Sequence, residues 1–282
     1  MSNDNQAEPS AQALRWREQA GDVWARFYPQ IDATFAPFND ALIAAAAPQT
    51  NERVLDVGCG CGGTSLALAE LVGRQGRVVG LDLSPSQLAI ARERAAARDL
   101  QIEFREEDAA RFRADVPFDL IASRFGFMFF DDPVAAFTHL RGQAAGGRAA
   151  LLSWAEVAAN PWMRLAWESA QGLIEPPPES PPGAPGPFGF DDPDRLRRAL
   201  AESGWQKIEI ARVDTIIAPA GGVPDDVLRL SMKLGPSAPL IAAADESVRA
   251  RIRDVMATRI AAWTSNGRVT APASAWIATA RA

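Results

Sequence analysis

Residues 54–65, Val-Leu-Asp-Val-Gly-Cys-Gly-Cys-Gly-Gly-Thr-Ser, join a short apolar run to a glycine turn and a helix start. Gly58 and Gly60 carry no side chain and can take positive φ, so a ligand can press against bare main chain there. The helix that opens next aims free N–H groups at the same spot. Asp56 stands two residues before Gly58. That acid favours a ligand whose nearer end is cationic or rich in donors, such as an amino-acid-like or sulfonium group, over a pyrophosphate.

The chemistry needs a frame, and the rest of the chain supplies one. Arg53 to Val57 reads as a strand and Thr64 to Val72 as a helix. Arg77 to Asp82 is a second strand. Ser84-Pro85-Ser86-Gln87 has the cap, first-turn proline and third-position amide of a helix start, and that helix runs to about Arg98. Ile102 and Phe104 alternate with polar neighbours as a third strand, and Phe118 to Ala122 is a fourth. Asp132-Pro133 opens another helix, and Gly146-Gly147 turns into the strand Ala149 to Trp154. Strands alternating with helices imply an α/β fold, a doubly wound parallel sheet with helices on both faces. A ligand then lies beyond the carboxyl ends of the strands, where strand order reverses. Asp56, Asp82, Asp108 and Ser123 all fall at such ends.

Elsewhere the pattern is less regular. Residues 14–28 and Ala41 to Ala47 look helical, ending at Pro29 and Pro48. After Trp154 the alternation breaks. Asn160 to Ile174 looks helical, and residues 176–187 hold seven of the 21 prolines, which excludes a packed strand or helix and favours extended chain. Asp194 to Ser203 is helical, Lys207 to Ile217 alternates as a strand, Val248 to Trp263 carries an amphipathic helix, and Ala275 to Ala280 is a final strand. The expected organisation is an N-terminal tail and lid helices (1–48), a binding core (49–155), a cap insertion with the proline tract (156–190), core again (191–217), a second cap insertion (218–270) and a last core strand (271–282).

In these segments the chain resembles the class I S-adenosylmethionine-dependent methyltransferases, in particular the ubiquinone/menaquinone-biosynthesis-like branch acting on small molecules. The resemblance is carried by Val54-Leu-Asp-Val-Gly-Cys-Gly, Gly80-Leu-Asp-Leu-Ser, Glu107-Asp-Ala, Phe118-Asp-Leu-Ile and Gly146-Gly-Arg-Ala-Ala-Leu-Leu, in the family's order. It implies a Rossmann-like seven-stranded sheet whose last strand is antiparallel and inserted beside the fifth. It implies S-adenosyl-L-methionine as cofactor. Gly58 and Gly60 would pack on its aminoacyl portion with Asp56 assisting, and Asp82 would take both ribose hydroxyls. Leu83 would pack on the adenine, and Asp108 and Ala109 would read its edge. Gln87 at the helix start and Ser123 at the fourth strand's opening complete the expected cofactor set. Cys61 departs from the small residue found in many relatives and puts a thiol near the sulfonium.

Other readings compete at several positions. Gly58, Gly60 and Gly63 also spell G-x-G-x-x-G with Asp82 beyond, the fingerprint of a nicotinamide dinucleotide site. The acid at the strand end and the second acids at Glu107-Asp108 fit the methyl donor better, and no hydride-site acid or base is evident. The competing reading makes Asp82 only a helix-entry acid and Asp56 only a cap for the turn. Cys59 and Cys61 are too close for an ordinary disulfide, and without a third thiol they hold a soft metal or metalloid poorly; no metal is expected. His139, the only histidine, lies inside a helix away from the strand ends and reads as structural. Tyr28 is either lid or core. Arg124 either pins an anion or pairs with a neighbouring acid. Asp131 is a further base candidate.

The remaining signals bound the function. Net charge is −6, which argues against binding a phosphate backbone. No apolar run is long enough to span a membrane, the N-terminus lacks signal-peptide layout, and the cysteine usage suits a reducing compartment, so a cytoplasmic protein is expected. Half of the aromatic residues fall in segments expected over the ligand end of the sheet, among them Trp24, Phe125, Phe129, Trp154 and Trp162, which points to an apolar, aromatic-walled substrate pocket. The expected activity is in-line methyl transfer to a small, largely apolar or aromatic acceptor, with Tyr28 and Arg124 positioning rather than exchanging protons. A binding protein that uses the cofactor only as a ligand is the alternative. The acceptor, the atom methylated and the oligomeric state stay open.

Overall fold

The structure, a computed structural model, describes residues 11–144, 146–178 and 180–282. It opens with α1 (Ala11–Arg17), α2 (Gln19–Arg26) and α3 (Tyr28–Ala46). Pro29 begins α3 rather than merely ending the segment before it, because a proline in the first helical turn gives up no helix hydrogen bond. The helix continues through Pro37, so the two expected patches are joined by one 19-residue helix. It stops at Ala47, whose backbone is left-handed.

The alternating region follows as β1 (Arg53–Val57), α4 (Gly63–Val72), β2 (Arg77–Asp82), α5 (Pro85–Ala96), β3 (Ile102–Glu106), β4 (Leu120–Arg124), α6 (Pro133–Gln143) and β5 (Arg148–Trp154). Ser84 Oγ accepts from Gln87 N, and Asp132 Oδ1 from Ala135 N, so both expected helix starts are capped. The fourth strand is displaced two residues from its expected span. Phe118 N instead bonds Gln143 O, which holds that residue in the turn, and the strand carries Ser123 and Arg124 at its end.

Beyond Trp154 the chain forms α7 (Leu165–Ala170), α8 (Pro193–Glu202), β6 (Gln206–Ile217), α9 (Pro224–Ser231), α10 (Ala238–Ala243), α11 (Glu246–Ala262), a two-residue hairpin β7 (Thr264–Ser265) and β8 (Arg268–Val269), and β9 (Ala271–Arg281). The helix expected over 160–174 shrinks to a 3-10 turn and the six residues of α7, since the Asn160 side chain bonds Ala155 O and Ser274 O at its start and Gly172 turns left-handed at its end. The last strand is longer than its periodicity suggested.

Seven strands form one sheet in the order β3-β2-β1-β4-β5-β9-β6. The first five are parallel, and β9 runs antiparallel between β5 and β6. Sheet order reverses between β1 and β4, so their carboxyl ends form the crevice where doubly wound sheets bind ligands. The central strands are apolar on both faces, with Leu55, Leu81, Leu120 and Ile121 at 1 % exposure or less. Each contributes roughly 2 kcal/mol of hydrophobic burial, which keeps the strand ends from shifting. A second apolar core forms where Leu165, Val227, Ile252, Met256 and Ile260 meet. Among the described residues no helix is long and apolar enough to cross a membrane.

Candidate active site

The glycine turn is locked to the neighbouring strand: Gly58 N and Cys59 N both donate to Leu81 O at 2.9 Å. Gly58 has φ 70°, and a Cβ there would lie 2.7 Å from Gly126 Cα. Its bareness is therefore required by the turn after β4 crossing over it, as well as by its own backbone. Gly60, at φ 54°, donates to Asp82 Oδ2 at 2.8 Å, and Ser84 N donates to Asp82 Oδ1 at 2.9 Å. Two main-chain donors from opposite sides thus orient the Asp82 carboxylate. Burial raises its pKa, and the main-chain hydrogen bonds from Ser84 and Gly60 oppose that rise by favouring the charged form.

These groups open onto a cleft of about 1580 Å3 that runs from the glycine turn to the proline tract. Gly58, Gly60, Asp82, Leu83, Gln87, Asp108 and Ala109 all lie on its wall. Asp108 is held by its own loop, with Oδ1 accepting from Ala110 N at 2.9 Å. Asp56 and Ser123, expected on the ligand, stand behind the turn instead. Asp56 is 1 % exposed; its Oδ2 accepts from Ser65 Oγ at 2.6 Å and its Oδ1 has no partner. Burial pushes its pKa up to about 6, against the Ser65 bond and the charge of Arg124. Ser123 Oγ donates to Val57 O at 2.7 Å and accepts from Phe127 N at 3.2 Å, which staples the turn after β4 to the end of β1.

Arg124 reaches the cleft wall, and of its two expected partners it has found an acid. Asp32 of α3 meets Arg124 Nη2 at 3.3 Å and Arg94 Nη2 at 2.7 Å. Arg94 also donates to Cys61 O at 2.5 Å and lies 4.9 Å from the centre of the Tyr28 ring. Sequence reasoning passed over Asp32, which sits in an unremarkable stretch 92 residues from Arg124. Cys59 and Cys61 are buried free thiols whose pKa is raised by burial, for Cys61 to about 12.

A further stretch of the wall is aromatic. Phe125 stacks on Trp154 with centroids 3.8 Å apart and planes at 9°, and Trp162 meets Trp154 edge-on at 5.6 Å. Phe35 packs its edge on both Phe125 and Trp154, another contribution of α3 that the sequence did not single out. Trp16 bridges Trp24 at 5.6 Å and Phe129 at 5.0 Å. Phe125 holds φ 64°, a left-handed backbone that a bulky residue tolerates only when packing fixes it. The proline tract closes the far side: Gly186 N donates to Met128 O at 3.0 Å, and Arg195 donates to Gly189 O at 3.1 Å. His139 is off the wall, its Nε2 donating to Phe112 O.

Comparison with known proteins fits this geometry. Residues 54–143 match the family model described as a methyltransferase domain. The chain is 34% identical over 122 residues to aklanonic acid methyltransferase DauC of Streptomyces sp. strain C5, spanning 42% of this chain and 55% of that protein. It is 37% identical over 116 residues to demethylmenaquinone methyltransferase of Deinococcus radiodurans, spanning 40% of this chain and 48% of that one. The chain thus spans about half the length of the curated relatives it matches. Magnesium protoporphyrin IX methyltransferase of Synechocystis, solved with bound S-adenosylhomocysteine, superposes with a TM-score of 0.52 at 15% identity, covering 96% of this chain and 97% of that one, a likeness of fold alone. Residues 54–143, on the seven-stranded sheet that carries them, thus match a methyltransferase domain.

Proposed function

We propose that the protein transfers a methyl group from S-adenosylmethionine to a small, largely apolar or aromatic molecule by in-line displacement. The observation that carries this reading is the single cleft shared by the Asp82–glycine-turn shelf and the Phe125–Trp154–Trp162 wall. At about 1580 Å3 it exceeds the roughly 300–1,000 Å3 of a one-ligand site, which leaves room for a second molecule beside the first.

The donor set fits the cofactor. Each Asp82 oxygen accepts one main-chain N–H and keeps a lone pair free for a ribose hydroxyl. Asp108 and the backbone of Ala109 would read the adenine edge, Leu83 would pack on the ring, and Arg124, on the cleft wall, would face the carboxylate of the methionine end. When bound, the sulfonium supplies an electrophilic methyl group. The protein's part is alignment and exclusion of water, because charge is neutralised rather than created in the displacement. Asp56 and Ser123 hold the turn in place from behind. Tyr28, fixed under Arg94, and Arg124, fixed by Asp32, would position rather than exchange protons.

The chain's one histidine is committed to the Phe112 carbonyl, away from the wall. That favours an acceptor that is already nucleophilic, such as an amine, a thiolate or a phenolate-type carbon. Residues 156–190 and 218–270 would cap the acceptor's end, since the proline tract, Leu230 and Met232 line it. Incubating the protein with methyl-labelled cofactor and a panel of acceptors tests the reading. Label moving into nucleophilic aromatic acceptors is expected. No transfer to any class, or strict dependence on a high-pKa alcohol, would contradict it.

A further inference from the structure

The sheet ends differently at its two edges. At one, β3 is only five residues long, and Glu103 binds Arg77 and Arg105 beside it. At the other, β6 runs for 12 residues with β9 as its single strand neighbour. Its first residues are blunted. Lys207 takes φ 50° where the register with β9 shifts, and Arg197 of α8 donates to Ile208 O at 2.8 Å. From Glu209 to Ile217 the outer edge meets no strand among the described residues. Such a row of N–H and C=O groups is a template for one more strand.

We propose that this strand is β6 of a second copy of the chain, running antiparallel about a twofold axis through Val213. A twofold axis perpendicular to the sheet pairs residue i with its mirror position about the centre and keeps each side chain on its own face. Centred on Val213, Arg212 faces Asp214 of the second copy, Ile210 faces Ile216, and Ala211 faces Thr215. Neighbouring centres are worse. On Arg212 the guanidinium faces itself, on Asp214 the carboxylate faces itself, and on Ala211 an isoleucine faces each charge. Opposite charges directly across an antiparallel pair stabilise it and like charges destabilise it, so one register is selected.

The charges are already arranged for this. Within one copy Arg212 reaches Asp214 at 2.9 Å and Glu156 at 2.8 Å, and Asp214 also accepts from Ser274. Two such pairs brought together about the axis alternate in sign. Ile216 is 62 % exposed in the single chain, and pairing with Ile210 of the second copy would cover it. Main-chain hydrogen bonds supply affinity and the alternate side chains supply specificity, as in strand addition generally. The result is a symmetric dimer with one continuous sheet of both copies.

Sedimentation velocity of the full chain over roughly 1–100 µM tests this. The wild type is expected to sediment as a dimer. Asp214→Arg sets Arg against Arg twice and is expected to raise the dimer dissociation constant at least about tenfold. Ile216→Glu is expected to weaken the dimer as well while the circular dichroism of the subunit stays unchanged, because the residue is exposed in the single chain. A wild type that stays monomeric throughout, or a dimer that both substitutions leave intact, overturns the proposal. Cofactor binding plays no part in this readout, so its outcome is independent of the methyltransferase reading.

Discussion

The main-chain N–H of Gly60 donates to Asp82 Oδ2 at 2.8 Å, and this bond joins the tip of β2 to the glycine turn that follows β1. One carboxylate therefore shapes the turn and faces the cleft at once. Replacing it should be felt by ligand and fold together.

Asp82→Asn keeps the size but leaves only one acceptor oxygen for two main-chain donors and the ribose hydroxyls proposed to bind there. The affinity for S-adenosylhomocysteine is expected to fall about 10- to 100-fold, by the loss of one or two charge-assisted hydrogen bonds. Titration calorimetry measures it. An affinity within about twofold of wild type would remove Asp82 from the cofactor grip.

Ser123 lies behind the wall, so Ser123→Ala should act on stability first. It strips Val57 O and Phe127 N of their buried partner, at a cost of about 1–3 kcal/mol. Urea unfolding checks this. A stable variant with lost cofactor affinity would instead put Ser123 on the ligand.

Asp56 makes stability depend on pH. Its folded-state value of about 6 lies above the ordinary 3.8, so the folded protein binds the proton more tightly. Stability from this group is full below pH 4 and is lost as pH rises to 6 and beyond, by about 3 kcal/mol in total. Asp56→Asn lacks this loss. Urea midpoints between pH 4 and 7 should therefore show the variant gaining on the wild type as pH rises; parallel curves would refute the assignment.

Asp32 couples the α3 helix to the core through two arginines. Asp32→Ala removes the carboxylate that pairs the largely buried Arg94 and Arg124, and about 1–3 kcal/mol of stability should be lost. In a background of Arg94→Ala and Arg124→Ala the same substitution should be nearly neutral. A double-mutant cycle reads the coupling, and additive losses would mean that the pairs contribute nothing.

The proline tract should matter to the acceptor. Replacing residues 176–187 with a short glycine-serine linker is expected to raise the acceptor KM about tenfold or more, since the tract forms one wall of the cleft. S-adenosylhomocysteine affinity should change by less than about twofold. The reverse pattern would deny the tract its role as a cap.

Much of this molecule could be read along the chain. The strand–glycine–helix signal at 53–72, the capped start at Ser84 and the acids at the ends of β2 and β3 come from local spacing, whereas the seven-stranded sheet with its antiparallel last strand was implied only by the family resemblance. Local pattern suffices there because periodicity reports which face is buried, and strand ends report where ligands bind. What the sequence did not contain is which distant residues meet. Asp32 joins Arg124 and Arg94 only because α3 crosses the end of α4, and Pro29, read as a stop, turned out to begin that helix. Gly58 is bare because Gly126 crosses it 68 residues later. Asp56 and Ser123 carry the right residue types at the right strand ends, yet both are buried, Asp56 against Ser65 and Ser123 between Val57 O and Phe127 N. Their roles followed from packing, which the order of strands and helices in space decides and no window of sequence records.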